Sequence, residues 1–151
     1  MYLKRVRKQW MIGLILPFML AACHVMLIGA YDQVTDECIQ KIQTEVSTLL
    51  VKIEGNIDNN TPEENKYEKC KPGYDNIKGE IESLKIRCNA LPKYKIVSQQ
   101  VAALGATILD LEKYHKLGFS KREEVEEIKK LFEDEFKNMI ILQNGLKRQK
   151  N

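Results

Sequence analysis

After residue 31, apolar residues recur every three or four positions, which is the spacing of one face of an α-helix. No segment alternates apolar and polar residues with the period of two that a half-buried β-strand requires. Glycine, proline and asparagine residues divide the series into four parts. The pattern therefore predicts an all-α fold: a small antiparallel bundle of about four helices over residues 32–151, after an N-terminal apolar signal or anchor helix.

The first predicted helix runs from residue 32 to about residue 54 and has an unbroken apolar face. Asp32 or Thr35 would cap its start. The pair Gly55 and Asn56 would end it. The apolar steps of three and four are Ile39, Ile42, Val46, Leu49 and Ile53. Leu50 and Val51 broaden this face, as expected for a helix packed on two neighbours.

The second predicted helix keeps one helical phase across Pro72 and Gly73. The run Thr61, Pro62, Glu63, Glu64 has the cap, proline and glutamate of a helix start. A kinked helix from about residue 62 to residue 90 explains the unbroken phase. The alternative is a short turn followed by a helix that begins near Gly73. The apolar series is Tyr67, Cys70, Tyr74, Ile77, Ile81, Leu84, Cys88 and Leu91.

The third predicted helix follows Pro92 and runs from about residue 98 to residue 117. Gly118 is placed for a left-handed cap, and Phe119 is expected to pack back on Tyr114. Its inward positions are expected at Val101, Leu104, Ile108 and Leu111.

The fourth predicted helix begins with a capping box formed by Ser120, Lys121, Arg122 and Glu123. Its outer side is rich in glutamate and lysine, as expected for a solvated helix face. Its apolar set is Val125, Ile128, Leu131, Phe132, Phe136, Met139, Ile140, Leu142 and Leu146.

The first 23 residues have the three parts of a secretory signal: a basic head, an apolar run and small residues at the end. The apolar run covers residues 10–20. The basic head is formed by Lys4, Arg5, Arg7 and Lys8. The last four residues resemble the lipobox of bacterial lipoproteins: Leu20, Ala21, Ala22 and Cys23.

The lipobox resemblance implies that residues 1–22 are a lipoprotein signal peptide and that Cys23 becomes the lipidated first residue. Several acyl chains would make this attachment stable, because each buried methylene contributes about 0.8 kcal/mol. Residues 23–31 would form the lipidated N-terminus and a short tether. In the family's sorting pattern, His24 in place of aspartate favours the outer membrane, with the domain facing the periplasm.

An uncleaved membrane anchor is the alternative interpretation of the same region. Apolar character continues past Cys23, and residues 10–30 make a run of 21 residues interrupted by few polar ones. A spanning helix needs about 20 apolar residues. This alternative would place an uncleaved N-terminal helix in the inner membrane, with the helical domain on the same side as before.

Three further stretches resemble a group of small, uncharacterised bacterial lipoproteins. They are residues 31–36 (YDQVTD), residues 91–93 (LPK) and residues 111–119 (LEKYHKLGF). The resemblance implies a helical envelope lipoprotein. The group has no assigned activity, so the resemblance implies no catalytic residue.

Charge argues against a nucleic-acid partner. The whole chain has 24 Lys and Arg against 21 Asp and Glu, but four of the basic residues lie in residues 1–22. Without them the balance is 20 against 21. A nucleic-acid-binding surface needs a standing excess of positive charge to displace counterions from phosphates.

Three cysteines, Cys38, Cys70 and Cys88, remain if Cys23 carries lipid. Cys70 and Cys88 would lie about 27 Å apart on one helix and could not pair. A Cys38–Cys88 disulfide is possible if the second helix begins near Gly73, because the two levels then match. It is disfavoured if that helix begins at residue 62. The preferred interpretation keeps Cys70 and Cys88 as buried small apolar side chains.

Sequence motifs for catalysis, metal binding and cofactor attachment are absent. There is no G-x-S-x-G, H-E-x-x-H or phosphate-binding loop, and no CxxC or CxxCH. Of the two histidines, only His115 lies in the predicted bundle, where lysines on both sides favour a cation that complements the helix dipole. No enzyme, metal site or cofactor is expected, apart from the covalent lipid on Cys23.

The expected function is therefore a non-catalytic, membrane-tethered envelope lipoprotein that acts as a protein-interaction or assembly module. Its partners would be the membrane, through the lipid, and an envelope protein. The alternative is a small-ligand carrier or sensor with a cavity between the helices.

Overall fold

A computed structural model describes residues 28–119 and 121–150, with Lys150 described by its backbone alone. These residues form four α-helices: α1 (Gln33–Asp58), α2 (Tyr67–Ala90), α3 (Lys95–Leu117) and α4 (Arg122–Lys150). Residues 28–119 and 121–150 contain no strand. The predicted all-α class is confirmed for this part of the chain. The predicted N-terminal signal or anchor helix falls mainly on residues 1–27, which lie outside the described residues.

The four helices form an antiparallel ring in which each helix packs against two others. Contact is most extensive between α2 and α3 and sparsest between α3 and α4. The antiparallel order follows from three side-chain pairs that join the start of one helix to the end of another: Asp32 with Arg87, Tyr67 with Glu112, and Arg122 with Glu54. The predicted bundle is therefore confirmed in its helix count and its direction.

The core is the set of apolar faces that the sequence spacing predicts. The predicted inward residues of α1 and α3 are buried except for Val51, which is 59% exposed. The largest fully buried side chains include Tyr74, Ile77 and Ile108. Burying one such side chain contributes about 1.5–3 kcal/mol, so these faces hold the bundle together. On α4 the prediction is wrong for Leu131, which is 51% exposed because it lies on the edge facing the sparse α3–α4 contact.

The start of α1 is as predicted, but its end is not. The Asp32 carboxylate accepts a hydrogen bond from the Thr35 backbone N–H at 2.9 Å and caps the helix. The helix continues through Gly55 to Asp58, so the predicted stop at residues 55 and 56 is wrong. The left-handed residue that turns the chain is Asn60, with φ of 52°. A helical glycine costs only about 1 kcal/mol, which the surrounding packing offsets.

Both predicted starts of α2 are wrong, although its unbroken phase is confirmed. Residues 61–66 form successive turns, and the helix begins at Tyr67. Pro72 lies inside the helix, in its second turn. Proline there removes one hydrogen bond to the preceding turn, and the helix continues because Cys70, Tyr74 and Ile77 are all held in the core.

The end of α3 is as predicted, whereas the packing beyond it differs. Gly118 has φ of 96° and its N–H donates to the His115 carbonyl. The Phe119 ring packs on His115, with 5.3 Å between centroids. The predicted contact with Tyr114 is wrong, because that side chain is 61% exposed on another face of α3.

The start of α4 has half of a capping box, one residue later than predicted. The Glu124 carboxylate accepts a hydrogen bond from the Lys121 backbone N–H at 3.2 Å. Glu124 is the third residue of the helix, the position from which a capping-box glutamate reaches back. Ser120, the predicted cap, lies outside the described residues.

Candidate functional site

Polar side chains are buried at the end of the bundle where α2 begins and α3 ends. Three of them are almost inaccessible to solvent: Asn65 is 8%, Glu112 is 6% and His115 is 2% exposed. Asn65 comes from the turns before α2, and the other two come from the last two turns of α3. Burial of polar groups costs free energy unless they are hydrogen-bonded, so their partners define what this end of the molecule can do.

His115 is a neutral imidazole with both nitrogens occupied. Its Nε2 lies 2.7 Å from the Asn65 carbonyl oxygen, and its Nδ1 lies 2.9 Å from the Tyr74 hydroxyl. A carbonyl oxygen only accepts, so Nε2 carries the hydrogen and Nδ1 accepts from the Tyr74 hydroxyl. Burial lowers the pKa of His115 and raises the pKa of Tyr74, which keeps both groups uncharged.

The predicted role of His115 as a charged partner of the helix dipole is therefore wrong. The side chain points into the bundle, because it follows Leu111 by four residues and Ile108 by seven. That spacing was visible in the sequence and would have identified an inward position. The flanking lysines suggested a surface, but Lys116 lies on the neighbouring, exposed side of α3.

Glu112 is a buried carboxylate with three donors. It accepts from the Tyr67 hydroxyl at 2.5 Å, from Lys78 at 3.0 Å and from Lys116 at 3.1 Å. Burial opposes its ionisation, but these hydrogen bonds outweigh that cost and lower its pKa to about 2. No local sequence pattern predicts this cluster, because Tyr67 and Lys78 come from another helix.

Aromatic rings surround the two polar groups. The Tyr67 and Tyr74 centroids are 5.9 Å apart, and the Tyr74 and His115 centroids are 5.7 Å apart. The Lys116 ammonium lies 4.6 Å from the centroid of the Tyr67 ring, within the range of a cation–π contact. The rings and ion pairs fix the start of α2 against the end of α3.

A pocket of about 570 Å³ opens beside this cluster. We call it the α2–α3 pocket. Its walls are the turn before α2, the first residues of α2 and the end of α3. It is lined by Pro62, Asn65, Lys66, Tyr67, Glu68, His115, Lys116, Leu117, Gly118 and Phe119. A volume of about 300–1,000 Å³ is usual for a small-molecule site, so this pocket is large enough to hold one.

Two features mark the hydrogen bonding beside this pocket. The side-chain oxygen of Asn65 is buried and has no hydrogen-bond partner. At the start of α2, the Lys66 side chain does not cap the helix, and its ammonium pairs with Glu63 at 2.7 Å. The sequence did not predict this pocket, because residues 61–64 resemble a helix cap, whereas α2 begins at Tyr67 without a side-chain cap.

The predicted lipidation site lies outside the described residues. Leu20, Ala21, Ala22 and Cys23 all precede residue 28, so their assignment as a lipobox stays a prediction. The predicted covalent lipid stays a prediction with them.

Cys38, Cys70 and Cys88 are free thiols in the structure, and Cys70 and Cys88 are buried. Lys41 pairs with Glu80 and so fixes the register of α1 against α2. By this register, the level of Cys38 falls five residues short of Cys88, about 7.5 Å along the helix axis. Disulfide-bonded Cα atoms usually lie about 4.4–6.8 Å apart. The Cys38–Cys88 disulfide stays a prediction.

Residues 28–119 and 121–150 contain no group of three or more His, Cys, Asp or Glu side chains placed to hold a metal ion. In the same part of the chain, no helix is both long and apolar enough to cross a membrane.

No family model, curated protein or solved structure matches this chain. The resemblance to small helical lipoproteins accordingly stays a prediction.

Proposed function

We propose that this chain is a non-catalytic, membrane-tethered envelope lipoprotein whose helical bundle docks an envelope protein. The sequence of residues 20–23 supports the tether. The observation that carries the docking role is a group of three exposed apolar side chains, which we call the apolar patch: Tyr114, Leu117 and Leu131 are 61%, 85% and 51% exposed.

Tyr114 and Leu131 lie on one side of the α3–α4 pair, and Leu117 lies beyond them at the end of α3, where it also lines the α2–α3 pocket. The Thr107 hydroxyl donates to Glu135 at 2.7 Å, which fixes the register of these helices. Tyr114 lies two turns from Thr107 along α3, and Leu131 lies one turn from Glu135 along α4. Counting from that bond, both side chains face the same seam near the end of α3, and Leu117 follows one turn beyond Tyr114.

Clustered apolar side chains favour a protein partner over solvent. Single exposed apolar residues are ordinary on a protein surface, whereas a contiguous group marks an interaction site. The sparse contact between α3 and α4 also leaves this seam accessible. A partner that covers the patch would gain the burial of an aromatic ring together with two leucines.

The state of the buried polar groups supports a role without catalysis. Both nitrogens of His115 are engaged, and both oxygens of Glu112 already accept from Tyr67, Lys78 or Lys116. A general base must reach the proton that it abstracts. These groups stabilise the junction of α2 and α3 instead.

Photo-crosslinking from within the patch tests the docking role. A photoreactive phenylalanine analogue at Leu131 of the full chain is expected to crosslink one envelope protein in intact cells, and the same analogue at Lys137 is not. Lys137 is a suitable control because it is exposed on the same helix, away from the patch. Tyr114→Asp should abolish the adduct at position 131. Equal adducts at both positions, or none from any patch position, would contradict docking.

A small-ligand carrier or sensor is the second candidate function, and the α2–α3 pocket favours it. The pocket has a suitable volume, and Asn65, one of its lining residues, has a buried side-chain oxygen without a partner. A thermal-shift screen of the full chain against envelope metabolites, lipids and peptidoglycan fragments tests this function. A dose-dependent rise in Tm supports the carrier, and no rise with any compound opposes it.

A further inference from the structure

The segment that leads into α1 is fixed against one end of the bundle. The Gly29 backbone N–H donates to the Lys93 carbonyl at 3.0 Å, and a Cβ at position 29 would lie 2.8 Å from the Pro92 carbonyl oxygen. Ile28 and Tyr31, on either side of this glycine, are partly buried and pack against the core. The chain therefore enters the bundle at the loop between α2 and α3.

Parts of all four helices meet at this end, which we call the tethered end. The Arg87 guanidinium, in the last turn of α2, binds Asp32 just before α1. The Lys147 ammonium, in the last turn of α4, lies 5.6 Å from the centroid of the Tyr31 ring. The tethered end thus comprises residues 28–34, residues 87–96 and residues 147–149.

Both interpretations of the anchor place the tethered end close to a membrane. Five residues separate Cys23 from Ile28, and five residues in any conformation span at most about 18 Å. With an uncleaved anchor, the apolar run itself extends to residue 30. The tethered end is therefore the part of the bundle that the bilayer surface meets first.

The tethered end has an excess of positive charge. Its residues include five Lys and Arg against one Asp. Lys95, Lys147 and Arg148 are exposed, and none of them forms an ion pair with the described part of the chain. The one aspartate, Asp32, is already paired with Arg87. Three exposed cations are therefore available to an external anion.

The charge of the whole bundle favours one orientation at an anionic surface. The half nearer the tethered end, residues 28–45, 79–106 and 137–151, has nine Lys and Arg against six Asp and Glu. The other half, residues 46–78 and 107–136, has eleven against fifteen. An anionic membrane attracts basic segments beside an anchor, by about fivefold in binding for each Lys or Arg near its surface. The same field repels the acidic half.

Exposed apolar side chains lie at the same end as these cations. Val34, in the first turn of α1, is 44% exposed, and Ile96, in the first turn of α3, is 46% exposed. Apolar side chains beside basic ones are typical of surfaces that lie in the headgroup region of a bilayer.

We propose that the tethered end is a docking surface for the anionic headgroups of the bilayer that holds the anchor, which rests on the tether of the proposed function. Lys95, Lys147 and Arg148 contact the headgroup phosphates, and the helices extend away from the membrane. Tyr114 of the apolar patch lies 19 residues beyond Lys95 along α3, about 28 Å from it. The apolar patch therefore faces away from the bilayer, where an envelope protein reaches it.

Lysine acylation of the full chain in protein-free vesicles tests this surface. A membrane-impermeant reagent, with mass spectrometry as the readout, reports on Lys95 and Lys147, and the exposed Lys113 and Lys121 near the opposite end are internal controls. In vesicles of two parts phosphatidylcholine to one part phosphatidylglycerol, Lys95 and Lys147 should react at least roughly fivefold more slowly, relative to the controls, than in phosphatidylcholine alone. Equal relative rates in both vesicles would overturn the proposal.

A charge reversal tests the same surface without changing the lysines that report on it. Arg148→Glu should remove most of the protection of Lys95 and Lys147 in the phosphatidylglycerol vesicles. Lys130→Glu, at an exposed lysine in the other half of α4, is the matched control and should leave the protection unchanged. Protection that Arg148→Glu leaves intact would overturn the role of charge and the proposal with it.

Failure of the lipid surface and failure of the proposed function give different results. If Lys95 and Lys147 are not protected while the photoreactive residue at position 131 still crosslinks one envelope protein, the lipid surface is wrong and docking stands. If both lysines are protected and no crosslink forms, docking is wrong and the lipid surface stands. A chain that does not stay with neutral vesicles would overturn the tether, and the lipid surface with it.

Discussion

The starts of α1 and α2 differ in whether a side chain accepts hydrogen bonds from the first backbone N–H groups of the helix. At the start of α1, Asp32 accepts from the Thr35 N–H at 2.9 Å and from the Thr35 hydroxyl at 2.7 Å. It also accepts two hydrogen bonds of 2.7 Å from the Arg87 guanidinium. At the start of α2, Lys66 occupies the cap position and makes no such bond. One helix start is closed by its own side chains, and the other opens into a pocket.

The paired groups at the start of α1 stabilise the fold, whereas the start of α2 keeps unpaired groups beside a pocket. The Arg87 guanidinium holds the pKa of Asp32 well below its usual range, so the capping carboxylate is charged at neutral pH. The α2 start stands between a buried histidine, a buried carboxylate and an unpartnered amide oxygen. Groups left unpaired in this way lower stability unless a ligand completes them.

Removing the closed cap should give the largest effect. Asp32→Ala loses the cap, worth about 1 kcal/mol, and leaves Arg87 without its bidentate partner. We expect the free energy of unfolding to fall by about 2–3 kcal/mol in total. Urea denaturation of the full chain measures it. Asp110→Ala, which breaks an exposed pair with Lys113, is the control and should cost less than about 0.5 kcal/mol. Equal losses would show that the Asp32 cluster is no more than a surface pair.

Gln143 has a second unpartnered side-chain amide, which does not line the α2–α3 pocket. Gln143 is 1% exposed, and neither its side-chain oxygen nor its nitrogen has a partner. It lies on the core face of α4, four residues from Met139 and three from Leu146. Gln143→Leu should therefore raise the free energy of unfolding by about 1–2 kcal/mol without changing ligand binding. A loss of stability would mean that the amide is satisfied by a buried water.

The buried His115 beside the α2–α3 pocket should also make the free energy of unfolding depend on pH. The pKa of His115 is lowered by burial, so the unfolded chain binds more protons than the folded chain below the usual pKa of histidine, about 6.5. Stability should then fall as the pH drops from about 6.5, by up to about 1.4 kcal/mol per pH unit until the folded pKa is reached. Urea denaturation at pH 7.0, 6.0 and 5.5 measures the slope. His115→Gln should flatten it, and an unchanged slope in that variant would assign it to another group.

Closing the α2 start should give the smallest effect on stability. Lys66 has φ of −65° and ψ of 142°, extended angles that suit a capping side chain. Lys66→Asp should therefore stabilise the fold by about 0.5–1 kcal/mol, because the new carboxylate can accept from the first backbone N–H groups of α2. Urea denaturation of the full chain measures this gain, and a free energy of unfolding that does not rise would show that a side chain at this position does not cap the helix.

The fold followed from the sequence because it depends on spacing, which is local. The apolar steps of α1 identified its buried face, and the unbroken phase across Pro72 identified α2 as one helix. Helix ends were less predictable. Gly55 carried a strong stop signal, but packing on both sides of it kept the helix intact until Asn60 turned the chain.

The candidate site could be predicted only in part, because it depends on contacts between distant residues. The inward spacing of His115 was visible in the sequence, whereas its partners were not. Glu112 looks like an ordinary surface glutamate until the Tyr67 hydroxyl and Lys78 are brought to it from α2. The free amide of Asn65 follows from the turn at residues 61–66, which the sequence suggested was already helical.

The claim that the bundle is tethered by lipid underlies the proposed envelope function, and one measurement tests it most directly. The intact mass of the chain extracted from membranes should correspond to residues 23–151 plus acyl chains. The Cys23→Ala variant should lose that species. An unmodified full-length mass in both proteins would contradict the lipoprotein assignment and support the alternative of an uncleaved N-terminal anchor.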